Sequence, residues 1–209
     1  MKKTILILLC FLCLFCKREN KTETHSMGIF DKLFNRNKDE NTTLNDLLLN
    51  KSFKNFITEA ENISIGYSEL NFLKADNIKS GQIGFSIDKS GKPLISKKPG
   101  DWKKNWIVIA TDDLGDPIFV DSDNTNLSVF ISQHGQGAWK ETYIASSLEI
   151  FKEILSDLKR LSIGRDNPIQ IEKNPITEIE LNNFLAKCKT KNTEIDIWFW
   201  EDFLENDAE

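Results

Sequence analysis

Five aspartates, Asp112, Asp113, Asp116, Asp121 and Asp123, crowd one stretch of the chain. Hard cations such as calcium and magnesium are held by several carboxylate oxygens at once, so the stretch invites a metal reading. Its order is not the D-x-D-x-D-G…E of a calcium loop. In DDLGD and SDNTN, Asp and Gly supply the local hydrogen bonds and positive φ that tight connections need, so these segments are expected to be turns. His134, in QHGQG, is the sole histidine after the N-terminal region. A lone histidine can serve as a general base. No Ser-x-Gly elbow, His-Glu-x-x-His helix or carboxylate pair accompanies it, so it reads as a polar turn residue. Gly135 and Gly137 lack the third glycine and the Lys-Ser/Thr of a phosphate loop. Cys188 falls beside Phe184 and Leu185 on an apolar helical face and reads as a small buried hydrophobe. Cys10, Cys13 and Cys16 have metal-like spacing, but they lie in an apolar run that offers no polar setting for an ion. These residues assign no catalytic group, no metal and no cofactor.

The composition bounds the remaining functions. Forty per cent hydrophobic residues and fourteen Phe are enough for a packed core. The formal charge is -5, and removing residues 1–26, with five bases and two acids, leaves -8. An acidic domain repels phosphate backbones, so nucleic acid is disfavoured as a partner and a basic protein is favoured.

The N-terminus carries two readings. Lys2-Lys3, the apolar run 4–16 and the polar KREN that follows read as a signal peptide. The run is too short for a spanning helix. A cysteine closing it resembles a bacterial lipoprotein signal with Cys16 lipidated, which would hold the protein at a membrane by its lipid alone. The alternative starts at Met27, where MGIFDKLFNRNK resembles the opening of soluble bacterial proteins, and gives a cytoplasmic protein. The domain reading is therefore a hydrophobic segment over 1–16, a polar tether over 17–42 and one domain over 43–209.

Within that domain the apolar spacing predicts elements. Leu44, Leu47, Leu48, Phe53, Phe56, Ile57 and Ala60 follow a helical period, with Thr43 and Asp46 at its start. SELNFLKAD reads as a short helical piece. QIGFSI (82–87) alternates as a strand and turns into LIS (94–96). WIVIA (106–110) is continuous and apolar, as in a strand buried on both faces. PIFVD (117–121) returns, with Pro117 at the strand's first residue, where it costs no ladder bond. LSVFIS (127–132) and ETYIA complete the strands. Ser146 with Glu149 and Thr177 with Glu180 read as capping boxes of two amphipathic helices, with a linker between Pro168 and Pro175. The sum is an α+β domain: a mostly antiparallel five- or six-strand sheet flanked by N- and C-terminal helices.

The C-terminal stretch 194–209 sets Trp198, Phe199, Trp200 and Phe203 among seven acids and no base. It reads either as aromatic anchors rimmed by charge or as aromatics that close the core. The candidate partner-binding residues are Trp102, His134, Trp139, Trp198 and Trp200.

Trp106 to Asp121 (W-x-V-I-A-x-D-x-x-G-D-P-I-x-V-D), HGQGAW (134–139) and IASSLEIFKEIL (144–155) together resemble the SUKH superfamily of Smi/Knr-like domains. The resemblance covers roughly residues 65–160, and its motif is structural rather than catalytic. It implies a non-enzymatic protein-binding module. Many bacterial members are similar to immunity proteins that neutralise toxins by direct contact, so another protein, in particular a basic toxin domain, is the expected partner. The alternative is a membrane-anchored cell-envelope lipoprotein with a scaffold or regulatory role.

Overall fold

Continuous apolar runs buried on both faces of a sheet build the centre of the molecule. A computed structural model describes residues 38–205, with side chains from Thr43 onward. Cys16, the apolar run and the Met27 piece lie outside the described residues. Six strands, β1 (Ile63–Ile65), β2 (Ser68–Phe72), β3 (Trp106–Asp112), β4 (Pro117–Asp121), β5 (Val129–Ile131) and β6 (Thr142–Ala145), form an antiparallel sheet in chain order. Among the described residues six α-helices flank it: α1 (Lys38–Leu49), α2 (Lys51–Glu59), α3 (Leu148–Leu161), α4 (Pro168–Lys173), α5 (Glu178–Lys191) and α6 (Trp198–Glu205). The fold is α+β, as expected.

The sheet has two buried faces. On one, Ile107, Ile109, Ile118, Val120, Val129 and Ile144 meet the helices through side chains such as Phe56, Phe151, Phe184 and Trp200. On the other, Trp106, Val108 and Phe119 meet Trp102, Phe85 and Trp139. This explains why WIVIA is continuously apolar. The pairing of β3 with β4 shifts register between Val108 and Ala110, and Ile109 and Ala110 both join the helix-side core. Such a bulge bends a strand and changes which face its residues serve.

Several local expectations are corrected. SELNF is strand β2, not helix. Ser68, Leu70 and Phe72 are buried while Glu69 is exposed, and the turn at Gly66 (φ 60°) folds the strand onto β1. Neither QIGFSI nor LIS is a strand. Ser80–Gln82 is a single 3-10 turn, and beyond it only isolated bridges join Ile83 to Ile87 and Ile87 to Pro93. The first helix does not begin at Thr43, which lies inside α1; the chain breaks at Asn50, whose side chain caps α2 by accepting from Phe53 N–H. Ser147, not Ser146, caps α3, accepting from Ile150 N–H, and Glu149 bonds Ser52 instead of closing a box. The stretch from Pro168 contains helix α4, started by Asn167. The Thr177–Glu180 box on α5 is present as expected.

Residues 73–105 link β2 to β3 and cover the aromatic face with almost no regular structure. A side chain holds them to the sheet. Gln82, 2% exposed, donates through Nε2 to Val108 C=O (2.9 Å) and to Ile78 C=O (2.9 Å). Its Oε1 accepts from Val108 N–H (3.0 Å). β2 pairs with β3 only from Ala110 onward, so at Val108 the Gln82 amide occupies the place of a neighbouring strand. Buried backbone groups need such partners, and here one side chain serves both.

Candidate surface at the turn end of the sheet

The aspartate-rich stretch is divided by β4. Asp112, Asp113 and Asp116 stand at one end of the β3–β4 hairpin, while Asp121 and Asp123 stand at the other, where Asp121 accepts from Asn105 Nδ2 (2.5 Å) and Asp123 N–H (3.0 Å). The five carboxylates are therefore not one constellation. Among the described residues no group of three or more His, Cys, Asp or Glu is placed to hold a metal ion.

The near end is a locked turn. Asp112 Oδ1 accepts from Asp116 N–H (2.8 Å), and Gly115 takes the positive φ (85°) that closes the loop. Asp116 in turn accepts from His134 N–H (2.7 Å), and its Oδ1 lies 2.5 Å from His134 Nδ1. This pair ties the hairpin turn to the loop 133–139. Burial pushes the Asp112 carboxyl up to about 6. The nearby Asp116 and Asp113 charges act in the same direction, against stabilising backbone N–H bonds.

Helix α6 completes the cleft. Asp112, Asp113, Leu114, Asp116, Trp198 and Asp202 line a shallow cavity of about 40 Å³. Leu114 is 68% exposed and Trp198 37% exposed, so an aliphatic and an aromatic side chain stand at an acidic opening. Phe199, Trp200 and Phe203 are buried in the core, with Phe199 and Phe203 also forming the inner wall of the cleft, and Trp200 Nε1 donates to Ile144 C=O (3.3 Å). The helix thus splits the C-terminal aromatics between the two readings: three close the core and one faces out.

On the other side of loop 133–139 lies a larger groove, about 510 Å³, lined by Phe85, Leu94, Gly100, Gln133, Gln136 and Trp139 among others. Its walls touch at Gly100, whose C=O accepts from Trp139 N–H (2.7 Å). Gly100 has φ 86°, and a Cβ there would come within 2.7 Å of Ala138 Cβ, so the approach requires glycine.

Two of the expected contact residues are corrected. Trp102 (1% exposed) and Trp200 (0%) are buried and cannot present their rings to a partner. Trp102 lies in the charged loop KKPGDWKKN, yet its ring packs on Trp106 (5.3 Å), Phe119 (5.0 Å) and Trp139 (5.1 Å), with Nε1 donating to Trp106 C=O (3.0 Å). It is a structural hub, and burial of so large a ring outweighs the polarity of its neighbours. His134 is exposed, Trp139 half-buried and Trp198 partly exposed, all around loop 133–139 or the adjoining cleft. Leu114 is not among the residues that the sequence pattern marks. A hydrophobic residue inside an acidic turn was its only signal. Cys188 is buried as expected, and burial, aided by Asp157, pushes its thiol up to about 12.

No protein-family model, curated protein or solved structure matches the chain.

Proposed function

We propose that the protein is a non-enzymatic binding module of the SUKH type, acting as an immunity-like partner that covers a basic toxin domain. The observation that carries the reading is the acid-lined cleft with Trp198 and Leu114 standing at its mouth. Aromatic anchors supply most of the energy in a protein interface, while surrounding carboxylates steer a cationic partner and reject anionic ones. Asp113 and Asp202 provide that negative rim beside Trp198.

The His134–Asp116 pair fits this reading as a fastener. Its evident effect is to hold the β3–β4 turn against loop 133–139.

Mixing the purified full chain with the product of the neighbouring gene tests the proposal. A stoichiometric complex that suppresses that product's toxicity is expected. A neighbourhood that encodes no toxin-like or otherwise interacting protein would remove the immunity role.

A further inference from the structure

The charge of this domain is divided in space. Residues 74–105 hold eight lysines and three acids, a local charge of +5, whereas the rest of 43–209 holds eleven bases and 24 acids, or -13. The lysine-rich segment covers the aromatic face of the sheet, and the helices, which bear many of the acids, cover the opposite face. Lys103 is committed to Glu141 (2.6 Å) and lies over the Trp106 ring. Lys89, Lys92, Lys97, Lys98 and Lys104 are exposed, and none forms an ion pair among the described residues. Leu94, 43% exposed, stands among them.

We infer that this lysine lobe is a docking surface for a membrane bearing anionic lipid headgroups. Net charge does not decide such contacts. A domain of this size is about 40 Å across, and the Debye length at physiological salt is about 8 Å. A surface touching the lobe therefore feels the nearby lysines and little of the distant carboxylates. The eight bases are all lysine and none is arginine. Lysine is a hydrated point charge on a flexible stem, suited to a diffuse field of headgroups, whereas arginine favours fixed bidentate sites. Exposed Leu94 adds an apolar side chain that can enter the headgroup region. The lobe also complements the expected anchor at Cys16, since stable attachment takes two signals, such as an acyl chain with a polybasic patch. In that orientation the lobe faces the membrane and the acid-rich helical side faces away.

The test is sedimentation of the full chain with phosphatidylcholine vesicles and with vesicles of phosphatidylcholine and phosphatidylglycerol. The wild type is compared with a variant carrying Lys89→Gln, Lys92→Gln, Lys97→Gln, Lys98→Gln and Lys104→Gln. Neutral vesicles report the N-terminal apolar run, and the difference between the two proteins isolates the lobe from the N-terminal bases. Each lysine near an anionic surface strengthens binding about fivefold. The variant is therefore expected to lose at least tenfold in affinity for the anionic vesicles, with unchanged neutral binding and an unchanged melting temperature. Asp113→Asn with Asp202→Asn should leave vesicle binding as it is, which separates this surface from the acidic cleft. Equal affinity of wild type and lysine variant for anionic vesicles would overturn the inference. So would a lysine-dependent loss seen with a single-stranded oligonucleotide but not with vesicles.

Discussion

Replacing Gln82 with Met should unfasten residues 73–105 from the sheet. Methionine has nearly the same length but offers no donor and only a weak acceptor, so Val108 N–H, Val108 C=O and Ile78 C=O all lose the partner they have in Gln82. The position is 2% exposed, so water cannot easily replace it. An orphaned buried polar group costs about 1–3 kcal/mol. With carbonyls the more tolerant, the substitution should cost about 3–5 kcal/mol. For a domain of this length that is a fall in melting temperature of roughly 6–20 °C. Gln82→Glu restores an acceptor for Val108 N–H but turns a carboxylate toward two carbonyls, so it should be at least as damaging at neutral pH. Circular dichroism melts give the stability, and hydrogen exchange of residues 106–112 shows whether the Val108 amide loses protection. A Met variant within about 1 kcal/mol of wild type, below the cost of one orphaned group, would refute the reasoning.

Two more outcomes follow from the ionisable groups. Asp112, raised to about 6 from the ordinary carboxylate range, is a carboxyl whose folded form prefers its proton, so its charge costs stability above pH 6. That cost shrinks as pH falls through 6 and vanishes below about 4. Asp112→Asn keeps an acceptor for Asp116 N–H and should therefore stabilise by about 1–3 kcal/mol at pH 8 and by nothing at pH 4; equal gains at both pH values would contradict the burial argument. Cys188, its thiol at about 12, should resist iodoacetamide at pH 8 in the native protein and react in guanidinium, as read by peptide mapping. Rapid native labelling would place it at the surface.

The sequence made parts of this fold legible and hid others for physical reasons. The β3–β4 hairpin could be read because two-sided burial demands a continuous apolar run, and Pro117 and Gly115 punctuate it. The Thr177–Glu180 box could be read because its bonds are local. β2 was missed because Ser-Glu-Leu-Asn-Phe is too short to separate period two from a helical turn, and its pairing partners settle the matter. The 73–105 segment looked like strands because it alternates, yet a glutamine side chain and aromatic packing hold it, and neither leaves a periodic trace. The candidate cleft was legible in pieces. Trp198 and the acidic C-terminus stand out in the sequence, as do Asp112, Asp113 and Asp116, but only the packing of α6 beside the hairpin turn brings them together. Trp102 was misplaced because a tryptophan between lysines reads as exposed until the loop folds it onto Trp106 and Phe119.

The central claim, that the cleft around Trp198 is the protein-binding surface, is tested most directly by titration calorimetry of the full chain against the product of the neighbouring gene. Trp198→Ala with Leu114→Ala should weaken the complex by at least about 2 kcal/mol, roughly thirtyfold, measured well below the variant's own melting temperature, because truncating an interface anchor costs that much. An affinity within twofold of wild type would contradict the account and move the interface away from the cleft.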